Sequence, residues 1–128
     1  MERGGGSTEK PHKRLEVWKL GMELCRDIYD LSARLPDAER YGLSAQMKRA
    51  AVSVPSNIAE GAARTTGKEF MHFLSIAQGS LSELDTQLEL CSKYLRFLEP
   101  VQVAQAFENI DRVSRMITGL KKSLASRT

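Results

Sequence analysis

Residues 67–98, GKEFMHFLSIAQGSLSELDTQLELCSKYLRFL, decide the fold of this chain. Phe70, Leu74, Ala77, Leu81, Leu84, Leu88, Cys91, Leu95 and Leu98 follow one another at steps of four and three. Such a row falls on one side of an α-helix, because about 3.6 residues complete a turn. The repeat lasts about four heptads, the pattern of a helix whose seam lies against other helices. Just ahead of it, Thr66 and Glu69 have the spacing of a capping box, in which each side chain can satisfy the other's free backbone N–H. The spacing predicts a rod of roughly 30 residues, about 45 Å long at ~1.5 Å per residue.

The same period recurs on both sides of this stretch. Before it, a helix is expected from about Gly42 to Ala63, with Leu43, Met47, Ala50, Val54 and Ile58 facing inward. Pro55 lies inside it, leaves the carbonyl of Ala51 without its helical partner and should kink the axis. Earlier still, Val17, Leu20, Leu24, Ile28, Leu31 and Leu35 predict a first helix from about Val17 to Arg34, ended by Pro36. Trp18, Met22, Cys25 and Tyr29 form a second row on it. After the rod, Pro100 suits a helix's first turn, and Val103, Ala106, Ile110, Val113, Ile117, Leu120 and Leu124 continue it. No segment alternates with period two. Four amphipathic helices with short links predict an all-α, antiparallel up-down four-helix bundle over residues 15–128. Residues 1–14 are polar and Gly-rich, with Lys10, Lys13 and Arg14, and read as a flexible arm.

At 128 residues the chain is expected to be one domain that buries roughly 65–70% of its unfolded surface, without help from a disulfide or metal. Cys25 and Cys91 sit at apolar helix positions and read as buried thiols. The N-terminus lacks the apolar core of a signal peptide, and the longest charge-free stretch, Phe70 to Ser82, is too short to cross a bilayer. A cytoplasmic protein is expected. His12 and His72 have no ligand spacing or partner motif, no Gly-rich phosphate loop follows a strand, and the acids lie mostly beside Lys or Arg. No enzyme, cofactor or metal site is expected.

Two helices carry more apolar and small surface than a solitary bundle needs. In the third, Phe73, Ile76, Ser80, Leu90, Tyr94 and Phe97 lie about 120° from the seam at ~100° per residue. In the second, the outer side holds Ala45, Val52, Ser53, Ser56 and Ala59, charged only by Arg49 and Glu60. Either the long helix buries two faces within one subunit, or these residues form an interface between copies. Net charge is +3 with pI near 9.0, which permits nucleic-acid binding without establishing it. Arg112, Arg115, Lys121, Lys122 and Arg127 follow Asp111 with no later acid; Lys48, Arg49, Arg64 and Lys68 form a second basic group. Glu108 and Asp111 precede Arg112 and Arg115 by four residues and could neutralise them. The basic helix end is then either a solvated, dipole-matched terminus or a phosphate contact.

The run Arg49-Ala50-Ala51-Val52-Ser53-Val54-Pro55-Ser56-Asn57-Ile58-Ala59-Glu60-Gly61, followed by Arg64, is distinctive, as are Leu15-Glu16-Val17-Trp18, Phe73-Leu74, Ala77, Gly79-Ser80 and Glu83. Over residues 15–98 the chain resembles the bacterial four-helix-bundle family encoded in intervening sequences of 23S rRNA genes, often labelled as ribosomal proteins; the last helix matches in pattern. The resemblance implies an all-helical fold and a ring-shaped homopentamer. The family is also similar to the accessory protein of diversity-generating retroelements, a basic pentameric barrel that binds nucleic acid and a reverse transcriptase. It implies no catalytic residues. Locally, Ser53, Ser56, Asn57 and Glu60 could satisfy backbone groups freed by Pro55, or could bind a ligand directly. The expected function is a homo-oligomer that binds RNA or DNA non-specifically through repeated basic residues. The alternative is a scaffold or accessory subunit for a polymerase or reverse transcriptase. Aromatic content of 6%, at core or interface positions, argues against base stacking.

Overall fold

The computed structural model describes residues 10–127 and contains four long helices, with no strand among the described residues. They are α1 (Glu16–Ser32), α2 (Leu43–Ala62), α3 (Gly67–Glu89) and α4 (Pro100–Ser126). Short 3-10 turns cover Pro11–Arg14 and Asp37–Glu39, and a π-helical turn, Leu90–Tyr94, extends α3. All four helices fall within one or two residues of their expected starts. Of the stretch expected as a flexible arm, residues 1–9 lie outside the described residues. Its last part is ordered into the first 3-10 turn, where the His12 ring stands edge-on to Trp18 at 5.0 Å.

The caps explain where the helices begin and end. At α3, Thr66 Oγ1 accepts the backbone N–H of Glu69 and donates its own proton to the Glu69 carboxylate. The Glu69 side chain thus takes the hydroxyl and not the Thr66 N–H that a full capping box would give it. At α4, the N–H of Glu99 donates to Gln102 Oε1 at 2.8 Å, and Pro100 fills the first turn. The C-terminal end of α3 departs from its sequence pattern. The Leu95 N–H bonds back to the Leu90 carbonyl, a five-residue closure. Arg96 then takes the left-handed conformation at φ 57°, and the N–H groups of Phe97 and Leu98 both reach the Cys91 carbonyl. Leu95, expected in the seam, is therefore turned out and 47% exposed, while Leu98 folds back into the core at 3%.

Each helix touches two others: α1 with α2 and α4, α3 with α2 and α4, and the diagonal pairs do not meet. The enclosed core joins Leu24, Ile28, Met47, Ile58, Leu74, Leu84, Leu88, Val113 and Ile117, all at 0% exposure. At about 25 cal/mol per Å², such a shared apolar interior supplies most of the drive to fold. Particular contacts fix which parts of the helices meet. Met47 of α2 lies 3.6 Å from Cys91 of α3 through sulfur, and Ser53 accepts a hydrogen bond from Ser80 at 2.7 Å. Further along, Gly61 lies under Phe70 and Phe73. Between α1 and α2, Ser44 Oγ donates to the Ser32 carbonyl, and Gly21 faces Val54 and Pro55.

Candidate nucleic-acid and subunit surfaces

The distinctive run around Pro55 serves both neighbours of α2: Pro55 faces Gly21 of α1, while Ser53 and Gly61 lie on the α2–α3 seam. Pro55 is buried, and α2 continues through it. Asn57 Nδ2 donates to both the carbonyl and the hydroxyl of Ser53, at 2.8 and 2.9 Å, and Ser80 of α3 donates to the same hydroxyl. Asn57 therefore turns to Ser53, and among the described residues no side chain of the motif hydrogen-bonds the Ala51 carbonyl, whose i+4 residue is Pro55. Ser56 is exposed, and Glu60 pairs with Arg64 across one helical turn. Gly61 is required by close approach. A Cβ there would come within 2.8 Å of the Phe70 ring, 2.9 Å of Phe73 Cβ and 3.2 Å of the Phe70 carbonyl. The motif thus has a clear structural use, the packing of α2 on α3 through Ser53 and Gly61 and on α1 through Pro55.

The basic residues fall into three settings. Lys48 is half-buried with its ammonium 5.2 Å from the Tyr29 ring centre, and Arg49 beside it is exposed on α2. Arg64 pairs with Glu60 and stacks its guanidinium 4.8 Å above the Phe73 ring, next to exposed Lys68. On α4, Arg112 and Arg115 are exposed. The spacing of Glu108 with Arg112 and of Asp111 with Arg115 leads one to expect ion pairs. Neither closes: among the described residues the charged side chains that come within ion-pair distance are Lys19 with Glu16 and Arg64 with Glu60. Lys121 is held to α3, its Nζ 3.1 Å from Gln78 Oε1, while Gln78 Nε2 donates to the Thr118 hydroxyl and the Ser114 carbonyl. Lys122 is exposed.

The residues expected at a subunit interface divide between cover and exposure. Val52 is 41% exposed, Ile76 40%, Leu90 38% and Tyr94 70%. Phe73 and Phe97 are half-buried, Phe97 packed against the core, and Ala45 and Ser53 are also half-buried. The long helix therefore covers part of its second face itself and leaves the rest open. Sequence reasoning missed the continuation of this face onto α1. Met22 and Tyr29 are 47% and 44% exposed, and an apolar groove of about 360 Å³ runs between Trp18, Met22 and Cys25 of α1 and Val52, Ser56 and Ala59 of α2. Their period on α1 was visible as a second row, but only packing reveals that no helix covers it.

Two further groups had no sequence signal. Gln87 is 5% exposed and its Oε1 has no hydrogen-bond partner among the described residues. Between α3 and α4 a cleft of about 340 Å³ is lined by Leu81, Asp85, Thr86, Ile110, Asp111 and Ser114. Burial and then the carboxylates of Glu89 and Asp111 raise the Asp85 carboxyl above its usual value. Cys25 is half-buried and Cys91 buried, both as free thiols; burial, with a smaller push from the Glu39 carboxylate, carries Cys91 up to about 11.

Among the described residues no group of three or more His, Cys, Asp or Glu side chains is placed to hold a metal, and no helix is long and apolar enough to cross a membrane. No curated protein matches the chain. The resemblance read over residues 15–98 extends well into α4, since the family's sequence model matches residues 13–119, and the chain belongs to the 23S rRNA-intervening sequence protein family.

Proposed function

We propose that this chain is a non-enzymatic, self-associating helical bundle, pentameric as its resemblance implies, that binds RNA or DNA without sequence choice through its basic residues. The observation that carries this reading is the unpaired basic side of α4, where Arg112 and Arg115 form no ion pair with Glu108 or Asp111. The charges expected to cancel within the helix are free to meet phosphate. Adjacent helices running antiparallel would add to this field. Support for that arrangement comes from the pairing of Met47 with Cys91, Ser53 with Ser80 and Gly61 with Phe70, and of Gln78 with Thr118 and Lys121. It sets Arg64 and Lys68 at the same end as Lys121 and Lys122, while Lys48 and Arg49 stand apart on α2. Repetition of that end in an assembly would multiply a modest charge per chain.

Fluorescence anisotropy with a labelled single-stranded RNA and a duplex DNA tests the reading. Binding should weaken steeply with salt, and the double variant Lys121→Glu with Lys122→Glu should reduce affinity by at least about tenfold and shallow the salt slope by about two units. No binding of either probe at low salt would remove the nucleic-acid role. The open apolar face on α1, α2 and α3 favours a second reading, an accessory subunit for a polymerase or reverse transcriptase. That role predicts partner capture unchanged when Lys48, Arg49, Lys121 and Lys122 are reversed to Glu.

A further inference from the structure

We propose that the outer face of α2, with Arg49 at its centre, docks into the acidic α3–α4 cleft of a second copy, Arg49 meeting Asp111 and Asp85 there. This contact rests on the self-association proposed above and names the two surfaces that make it. The first surface is apolar with a basic centre. Residues 43–59 contain no acid, and their two charges are Lys48 and Arg49. Lys48 is occupied by the Tyr29 ring, whereas Arg49 is exposed and has no acid within ion-pair distance among the described residues. Around it lie Val52 at 41% exposure and the small side chains of Ala45 and Ser56, which let another backbone come close.

The second surface has the opposite sign. Asp85 and Asp111 face each other across the α3–α4 cleft, where burial and then the nearby carboxylates of Glu89 and Asp111 push the Asp85 carboxyl upward. Among the described residues no cationic side chain of the same copy closes on them, since Arg112 and Arg115 stay apart from their expected partners. Carboxylates crowded together in this way are relieved by an incoming cation. Apolar groups of Leu81 and Ile110 also line the cleft.

Geometry within one copy prevents the two surfaces from meeting, because α2 and α4 are a diagonal pair that does not touch. In the proposed contact the complementary charge is supplied by another copy. The contact joins different patches, so it is head-to-tail and generates a closed ring where the rotation closes. Opposite charges that face each other across an interface fix register and reject mismatched docking.

Sedimentation velocity over a concentration series tests the contact with Arg49→Glu, Asp111→Lys and the two together. Both positions are exposed, and circular dichroism melts check that each variant folds. Wild type should sediment as a multiple of 14.3 kDa. Each single reversal should raise the concentration needed for assembly by about tenfold or more, and the double reversal, which restores opposite charges at every contact, should return it to within about threefold of wild type. Singles that assemble like wild type, or a double variant as dissociated as the singles, would overturn the contact while leaving self-association standing. A folded wild type that stays at 14.3 kDa at every concentration removes both.

Discussion

The two sides of α3 are built on different physical terms. Towards α2, the helices meet through small groups at short range: Gly61 under Phe70 and Phe73, Ser53 against Ser80, Met47 against Cys91. Towards α4, the join above the core is made by long polar side chains, with Gln78 reaching Thr118, Ser114 and Lys121, and by an acidic cleft. A seam set by hard contact has no room to give, because interiors are packed to crystal-like density. A seam bridged by flexible side chains can absorb change. One helix thus has a rigid side and an adaptable side, and substitutions should sort accordingly.

The largest effect is expected at Gly61→Ala. The added methyl would lie 2.8 Å from the Phe70 ring and 3.2 Å from the Phe70 carbonyl, so α2 and α3 must move apart. Overpacking of this kind costs about 1–3 kcal/mol, and the backbone contact puts this site in the upper part of that range. Urea unfolding should show it as a lower midpoint at unchanged slope. A cost below about 0.5 kcal/mol would mean that the close seam yields as readily as the other side.

Alkali offers a second probe of the dry seam. Cys91 in the folded chain holds its proton up to about 11, against a usual value of 9.0. Below pH 9 both states keep the proton, and the group has no influence on stability. As pH rises from 9 towards 11 the unfolded chain releases it first, so stability falls. The loss should approach about 2 kcal/mol by pH 11. Other groups titrate in the same range, and a Cys91→Ala variant isolates this one. Its stability should decline less between pH 9 and 11 than that of wild type, although it starts lower because a core side chain has been trimmed. Parallel slopes would show that the seam admits water to the sulfur.

Much of this arrangement could be read from the chain. In α4 six of the seven seam residues are buried and Leu120 is half-buried, because an undisturbed helix carries its 3.6 period faithfully. The row of α3 holds as far as Cys91 and fails at Leu95. A π-helical turn adds a residue to the turn and shifts the phase, and neither Leu90 nor Tyr94 announces it. Ala51, at 1% exposure, went unseen because alanine has little hydrophobic signal on either side of a helix. Surfaces were the least legible part. Four-residue spacing permitted the pairing of Glu108 with Arg112, but exposed pairs gain little from closing and the geometry need not oblige. The acidic cleft is contributed by two helices that are distant in sequence, so its charges converge only after α3 and α4 pack.

The smallest predicted effect has the opposite sign. Gly119 lies exposed in the interior of α4, and a Cβ there would meet nothing within 4 Å among the described residues. The helix needs no glycine at this point, since the close approach that demands one occurs at Gly61 on the other seam. Alanine loses less backbone freedom on folding, so Gly119→Ala should stabilise the chain by about 0.5–1 kcal/mol, read as a higher urea midpoint. The same atom added at Gly61 and at Gly119 is chemically identical, so the difference between the two variants reports only surroundings. A destabilised Gly119→Ala would show that something approaches α4 as tightly as α3 approaches α2. Among the described residues of one copy nothing does, and a second copy seated on that side of α4 would then be the body in contact. Melting this variant across a tenfold dilution series separates the cases, because a cost arising between copies fades as the copies come apart.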